Sequence, residues 1–141
     1  MKKYFYFLLV FISVTLFVSC NNQNNNKQKT ENGIAVLVFE KTSHNFGAIN
    51  EGEKVIYSFQ FTNKGNVDLQ LTSVGTSCGC TASEYPLEPI KPEESGKIKI
   101  TFNSAHRLGM QHKKITIRAN TNPEFSNLSI YAQVIDKNSE N

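Results

Sequence analysis

"KVIYSFQFTN", residues 54–63, is the stretch whose reading decides the fold. Val55, Tyr57, Phe59 and Phe61 stand at every second position, with Ser58, Gln60 and Thr62 between them. Side chains of an extended chain point alternately to opposite faces, so this spacing makes one apolar and one polar face. A helix would scatter the same residues around its circumference. The segment reads as a half-buried β-strand.

The same period continues to either side. In "VDLQLTS", Val67, Leu69 and Leu71 fall together against Asp68, Gln70 and Thr72. "GKIKITFN" sets Ile98, Ile100 and Phe102 against Lys97, Lys99 and Thr101. "KKITIRAN" turns Ile115, Ile117 and Ala119 inward, and "NLSIYAQV" does so with Leu128, Ile130, Ala132 and Val134. A further strand is expected within "IAVLVFE", and no stretch carries the i, i+3, i+4, i+7 stripe of an amphipathic helix. Turn residues interrupt the strands at Asn63-Lys64-Gly65-Asn66, Glu94-Ser95-Gly96, Arg107-Leu108-Gly109 and Asn122-Pro123. Short strands so spaced predict an all-β protein, an immunoglobulin-like β-sandwich of about seven to eight strands, with a small barrel as the alternative.

The 141 residues suffice for one domain. The expected organisation is a lipoprotein signal peptide over 1–19, a lipidated cysteine and polar tether over 20–33, the sandwich over 34–137 and a disordered tail over 138–141. Lys2 and Lys3 form a positive n-region, Tyr4 to Val18 is an uncharged apolar run, and Ser19 precedes Cys20. That run is shorter than the ~20 residues a membrane span needs. Leu16-Phe17-Val18-Ser19-Cys20 resembles the bacterial lipobox, with Phe17 where Leu is usual. Cleavage would leave Cys20 as the first residue, carrying diacylglycerol and an amide-linked acyl chain such as palmitate. Several chains at ~0.8 kcal/mol per buried methylene make a stable anchor.

Residues 21–32 contain no apolar side chain and cannot repay the entropy of ordering. Such a tether reaches about 20 Å on average and about 40 Å at full stretch. Asn21 stands where Asp would retain a lipoprotein at the inner membrane, so the expected location is the cell envelope, on the outer membrane facing the periplasm. Removing Lys2 and Lys3 from the 15 basic residues leaves 13 against 12 acidic ones, a net charge of +1. That balance does not favour nucleic acid. The expected partners are the membrane, through the lipid, and an envelope protein or polymer.

"TSCGCTASEYP", residues 76–86, holds Cys78 and Cys80 around Gly79. In an extended strand their Cα atoms lie about 7 Å apart, at the limit for a disulfide, and a bend at Gly79 brings them within range. Four readings stay open: a small-ring disulfide, two thiols packed between sheets, half of a zinc or Cu(I) site, and a catalytic thiol. A metal would draw further ligands from Met110, His112 and His44, with His106 a fourth candidate. Met110 and His112 share one strand face. No second Cys/His pair at zinc-knuckle spacing accompanies them. No G-x-S-x-G elbow, H-E-x-x-H helix or phosphate loop occurs, so neither enzyme activity nor a cofactor is expected. "YPLEPIKPEE", residues 85–94, predicts a stiff extended connection whose Tyr85 and Leu87 either cover the sandwich end or form a docking edge.

Over residues 39–135 the chain resembles the bacterial domain-of-unknown-function family 1573. The resemblance rests on Phe46-Gly47, Glu51-Gly52, Phe61-Thr62-Asn63, Gly65 and Ser77-Cys78-Gly79-Cys80-Thr81. Lys91-Pro92-Glu93 departs from it, standing where the family usually has Pro-Gly. The family is related to immunoglobulin-like domains of cilium- and centrosome-associated proteins and of the major sperm protein group. The resemblance implies a sandwich in a secreted lipoprotein, structural roles for Phe46, Gly47, Gly52, Asn63, Gly65 and Gly79, and no reaction. A non-enzymatic envelope module is therefore expected, with periplasmic metal handling or thiol redox chemistry at Cys78 and Cys80 as the alternative.

Overall fold

The computed structural model describes residues 33–76 and 78–136. The signal peptide, Cys20, the tether up to residue 32 and the 138–141 tail lie outside them. Eight strands follow in order: β1 (Leu37–Phe39), β2 (Ser43–Asn50), β3 (Lys54–Asn63), β4 (Leu71–Thr76), β5 (Thr81–Glu84), β6 (Ser95–Asn103), β7 (Gly109–Ala119) and β8 (Phe125–Ile135). They form two four-stranded sheets, β1-β3-β6-β5 and β2-β8-β7-β4. This is the all-β sandwich that the alternation predicts.

Phe59 and Phe61 of β3, Ile98 and Ile100 of β6, Ile115 and Ile117 of β7, and Leu128 and Ile130 of β8 are all at most 1 % exposed. Their intervening neighbours face outward, so each sheet contributes one apolar face to a shared core. β3 and β6 pair antiparallel over nine residues, which places Gly96 opposite Phe61. A Cβ at Gly96 would lie 2.5 Å from Cζ of Phe61, so glycine there makes room for the tip of that ring.

The N-terminal segment serves both sheets. β1 pairs antiparallel with β3, whereas β2 crosses to the other sheet and runs parallel to β8. The β2 register shifts between Asn45 and Ala48. Gly47 takes a φ of 73° there, and its N–H is accepted by Asn45 Oδ1 at 2.9 Å. β2 and β5 are strands that the sequence reading passed over. β2 contains glycine and asparagine at its bulge, and β5 reads Thr-Ala-Ser-Glu. Edge strands of that composition carry little alternation for a sequence pattern to detect.

"VDLQLTS" is corrected in part. Its alternating burial stands, but the strand begins only at Leu71. Ahead of it Leu69 makes an isolated bridge with Ile90, the two exchanging N–H···O=C bonds of 2.8 and 2.9 Å. Asn63 dictates this local departure. Its fully buried Nδ2 donates to the carbonyls of Val67 and Ile90, at 2.8 and 2.9 Å. Its Oδ1 accepts from Gly65 N at 2.9 Å and Val36 N at 3.4 Å. One side chain thus satisfies four backbone groups from three loops. Gly65 lies against the N-terminal segment, where an added Cβ would sit 2.7 Å from Val36 N and 2.8 Å from Ala35 Cα.

The proline-rich connection covers the sandwich end through Tyr85, which packs on the core, while Leu87 is 75 % exposed. Its Glu93 takes a φ of 65°, the left-handed region that suits glycine. That conformation gives a physical reason for the Pro-Gly from which Pro92-Glu93 departs.

Candidate functional site

β4 and β5 belong to different sheets, and the chain between them crosses one end of the sandwich. Cys78, Gly79 and Cys80 form this crossing. Thr76, the last residue of β4, donates its hydroxyl to the carbonyls of Cys78 and Thr81, at 3.0 and 3.1 Å. Asn103 of β6 donates its N–H to the Cys80 carbonyl at 2.9 Å. Ser83 of β5 donates to the Val74 carbonyl of β4 at 3.0 Å, tying the two edges together below the loop. The crossing is therefore held on both sheets by short polar contacts.

Within it the two sulfurs are bonded to each other, and the Cα atoms lie 5.3 Å apart. That separation falls in the range a disulfide needs and is shorter than a straight strand allows. Gly79 provides the bend while remaining exposed, and a Cβ placed on it would meet nothing within 4 Å. Cys80 is 8 % exposed and belongs to the core, and Cys78 is half-buried against it. The hydroxyl of Thr81, itself 7 % exposed, lies 3.7 Å from each sulfur. Disulfide sulfurs carry no proton, so the threonine O–H is the donor in both contacts.

The proposed additional metal ligands lie elsewhere. His44 of β2 stacks on Tyr57 of β3, with ring centroids 3.7 Å apart, and meets the edge of Phe46 at 4.6 Å. His112 of β7 stacks on Tyr131 of β8 and reaches Ser129 Oγ at 3.3 Å. Met110 is 76 % exposed on the same outward face of β7. His106 has a φ of 59°, and its ring lies 3.9 Å from Glu51. Among the described residues no three His, Cys, Asp or Glu side chains come together as a metal site. Bonded sulfurs also lack the thiolate that zinc or Cu(I) requires. Among the described residues, the oxidised loop therefore offers no donor set for a metal.

Burial and the nearby Lys41 cation hold the His44 pKa below its ordinary value of 6.5. Glu84, Tyr85, Pro86, Lys97 and Lys99 line an open depression of about 350 Å3 on the outer side of β5 and β6. Lys99 and Glu84 pair across it at 2.9 Å, both partly solvated, an arrangement that ordinary surface charge explains. The sequence pattern singled out the Cys-Gly-Cys run but passed over Thr81. The signal available was only a hydroxyl directly following the second cysteine.

Two packed four-stranded sheets, with β1 and β2 in different sheets and β2 parallel to β8 at one edge, define an immunoglobulin-like β-sandwich. The chain belongs to the family described as protein of unknown function DUF1573, which matches residues 37–134. No functionally curated protein matches it. A protein of unknown function from Porphyromonas gingivalis W83 is similar at 22 % identity and a TM-score of 0.61, over 72 % of this chain and 46 % of that one. This chain therefore spans less than half of that protein. The seventh PapD-like (ASH) domain of human CEP192 is similar at 12 % identity and a TM-score of 0.60, over 73 % of this chain and 87 % of that one. The secreted serine protease VesC from Vibrio cholerae shares 16 % identity and a TM-score of 0.56, over 71 % of this chain but only 23 % of the protease. At these identities the likeness is one of fold alone.

Proposed function

We propose that the protein is a non-enzymatic immunoglobulin-like module, lipid-anchored at Cys20 to the outer membrane, facing the periplasm and docking an envelope protein. One observation carries the docking reading. Ile34, Val36 and Val38 alternate outward along the N-terminal edge of the first sheet and are 60 %, 39 % and 45 % exposed. Their neighbours Ala35, Leu37 and Phe39 pack on the core. Ala35 already bridges Thr121, so the open part of this edge runs over Leu37–Phe39; with aliphatic side chains outward it suits the addition of an extended segment, which would pair there and cover the side chains. A glycan strand lacks the regular ladder of amide N–H and C=O groups for that pairing, so a protein partner is the better fit.

The test compares wild type with a Val36→Lys/Val38→Lys variant in crosslinking on intact envelopes. A stoichiometric crosslinked partner should be recovered with the wild type and lost with the folded variant. Recovery that is equal for both would remove this edge as the docking surface. The anchor is checked separately by mass spectrometry of protein from host membranes, where Cys20 should carry diacylglycerol. A bare Cys20 would defeat the tethered reading.

A further inference from the structure

We propose that the Cys78–Cys80 loop is a thiol-exchange site that accepts two electrons from a dithiol protein. It stands apart from the docking reading, since β5, which follows the loop, is the opposite edge of the first sheet from β1, and no residue of β1 takes part.

As a staple this bond has little to do. Both cysteines lie in one loop and join no pair of strands. With one residue between them, closure removes little freedom from the unfolded chain. Apart from Cys80, the apolar core is built from side chains of the two sheets and their connections. The bond instead sits where exchange chemistry is possible. Gly79 is exposed with open space above it, Cys78 is half-buried and Cys80 is almost covered. An incoming thiolate therefore meets Cys78 first. Thr81 holds its hydroxyl 3.7 Å from both sulfurs, so it can donate to whichever sulfur leaves.

A thiolate of the dithiol bonds to Cys78 Sγ while the Cys78–Cys80 bond breaks, and the electron pair leaves on Cys80 Sγ. The Thr81 O–H stabilises that thiolate until water protonates it. The second thiolate of the dithiol then attacks the partner's first sulfur in the mixed disulfide and expels Cys78 as a thiolate, which water also protonates. The partner leaves as a disulfide, and two electrons and two protons have reached this loop.

The test uses the full-length oxidised protein, dithiothreitol as the probe dithiol, and alkylation with mass spectrometry as the readout. Reduction should be complete while the β-sheet circular-dichroism spectrum is unchanged. Thr81→Val should slow it about tenfold, the effect of one hydrogen bond to a charged sulfur, and Thr81→Ser should restore the rate. With glutathione disulfide, the Cys80→Ser variant should form a mixed disulfide at Cys78 at least about tenfold faster than Cys78→Ser forms one at Cys80, because attack rates follow access. A bond that resists reduction until the domain unfolds, or whose reduction unfolds the domain, would make it a staple and end the proposal. Equal rates for the two single-cysteine variants, or a wild-type rate for folded Thr81→Val, would also overturn it.

Discussion

His44 lies flat on Tyr57, their ring centroids 3.7 Å apart and their planes within 8°, and this stack joins β2 of one sheet to β3 of the other. Tyr57 in turn meets the edge of Phe59, so the pair extends the core to its open side. A stacked imidazole in that position is better neutral than charged, since protonation would place a cation in a partly desolvated site near Lys41.

The folded-state pKa of His44 is lowered from 6.5, so the unfolded chain takes up this proton first as the pH falls. Stability from this group is therefore complete above 6.5 and declines below it, until the pH drops past the folded value. Chemical denaturation measured between neutral and mildly acidic pH should show that decline. In His44→Gln the slope over the same window should be shallower. An unchanged slope would mean that His44 is not its source.

Asn63→Ala should cost about 3 kcal/mol or more, because it leaves the buried carbonyls of Val67 and Ile90 and the N–H of Gly65 without their side-chain partner. Urea unfolding measures it. A loss below about 1 kcal/mol would show that water replaces the amide.

Glu93→Gly should raise stability by about 0.5–1 kcal/mol. Glycine relieves the left-handed backbone at φ 65°, and the exposed ion pair lost with Lys64 is worth less than that relief. Thermal unfolding should show a higher midpoint for the variant. A lower midpoint would place the ion pair above the backbone strain.

Two glycines of the family motif should behave differently. Gly65→Ala drives a methyl into the backbone of Ala35 and Val36 and should cost about 2–3 kcal/mol. Gly79→Ala meets open space and should change stability by no more than about 0.5 kcal/mol. Denaturant midpoints of the two variants, measured side by side, check the contrast.

Strands with one wet and one dry face were legible because their alternation is written locally. β3, β6, β7 and β8 each sit where Phe59, Ile98, Ile115 and Leu128 alternate with polar neighbours. β2 and β5 were not legible, since a register shift between Asn45 and Ala48 interrupts β2 and β5 is only Thr-Ala-Ser-Glu. Cys78 and Cys80 announced themselves by spacing. Their partner Thr81 did not, because a single threonine has many ordinary uses.

By itself the sequence determined which side chains face the core, where the chain must turn, and which two cysteines lie within reach of each other. Each of these depends on neighbours a few residues apart. Only the tertiary structure decided that β1 and β2 serve different sheets, that β2 runs parallel to β8, that Asn63 joins three loops, and that one hydroxyl faces both sulfurs. Those outcomes depend on backbone groups far apart in the chain finding hydrogen-bond partners in space, and no local period encodes which of them will meet.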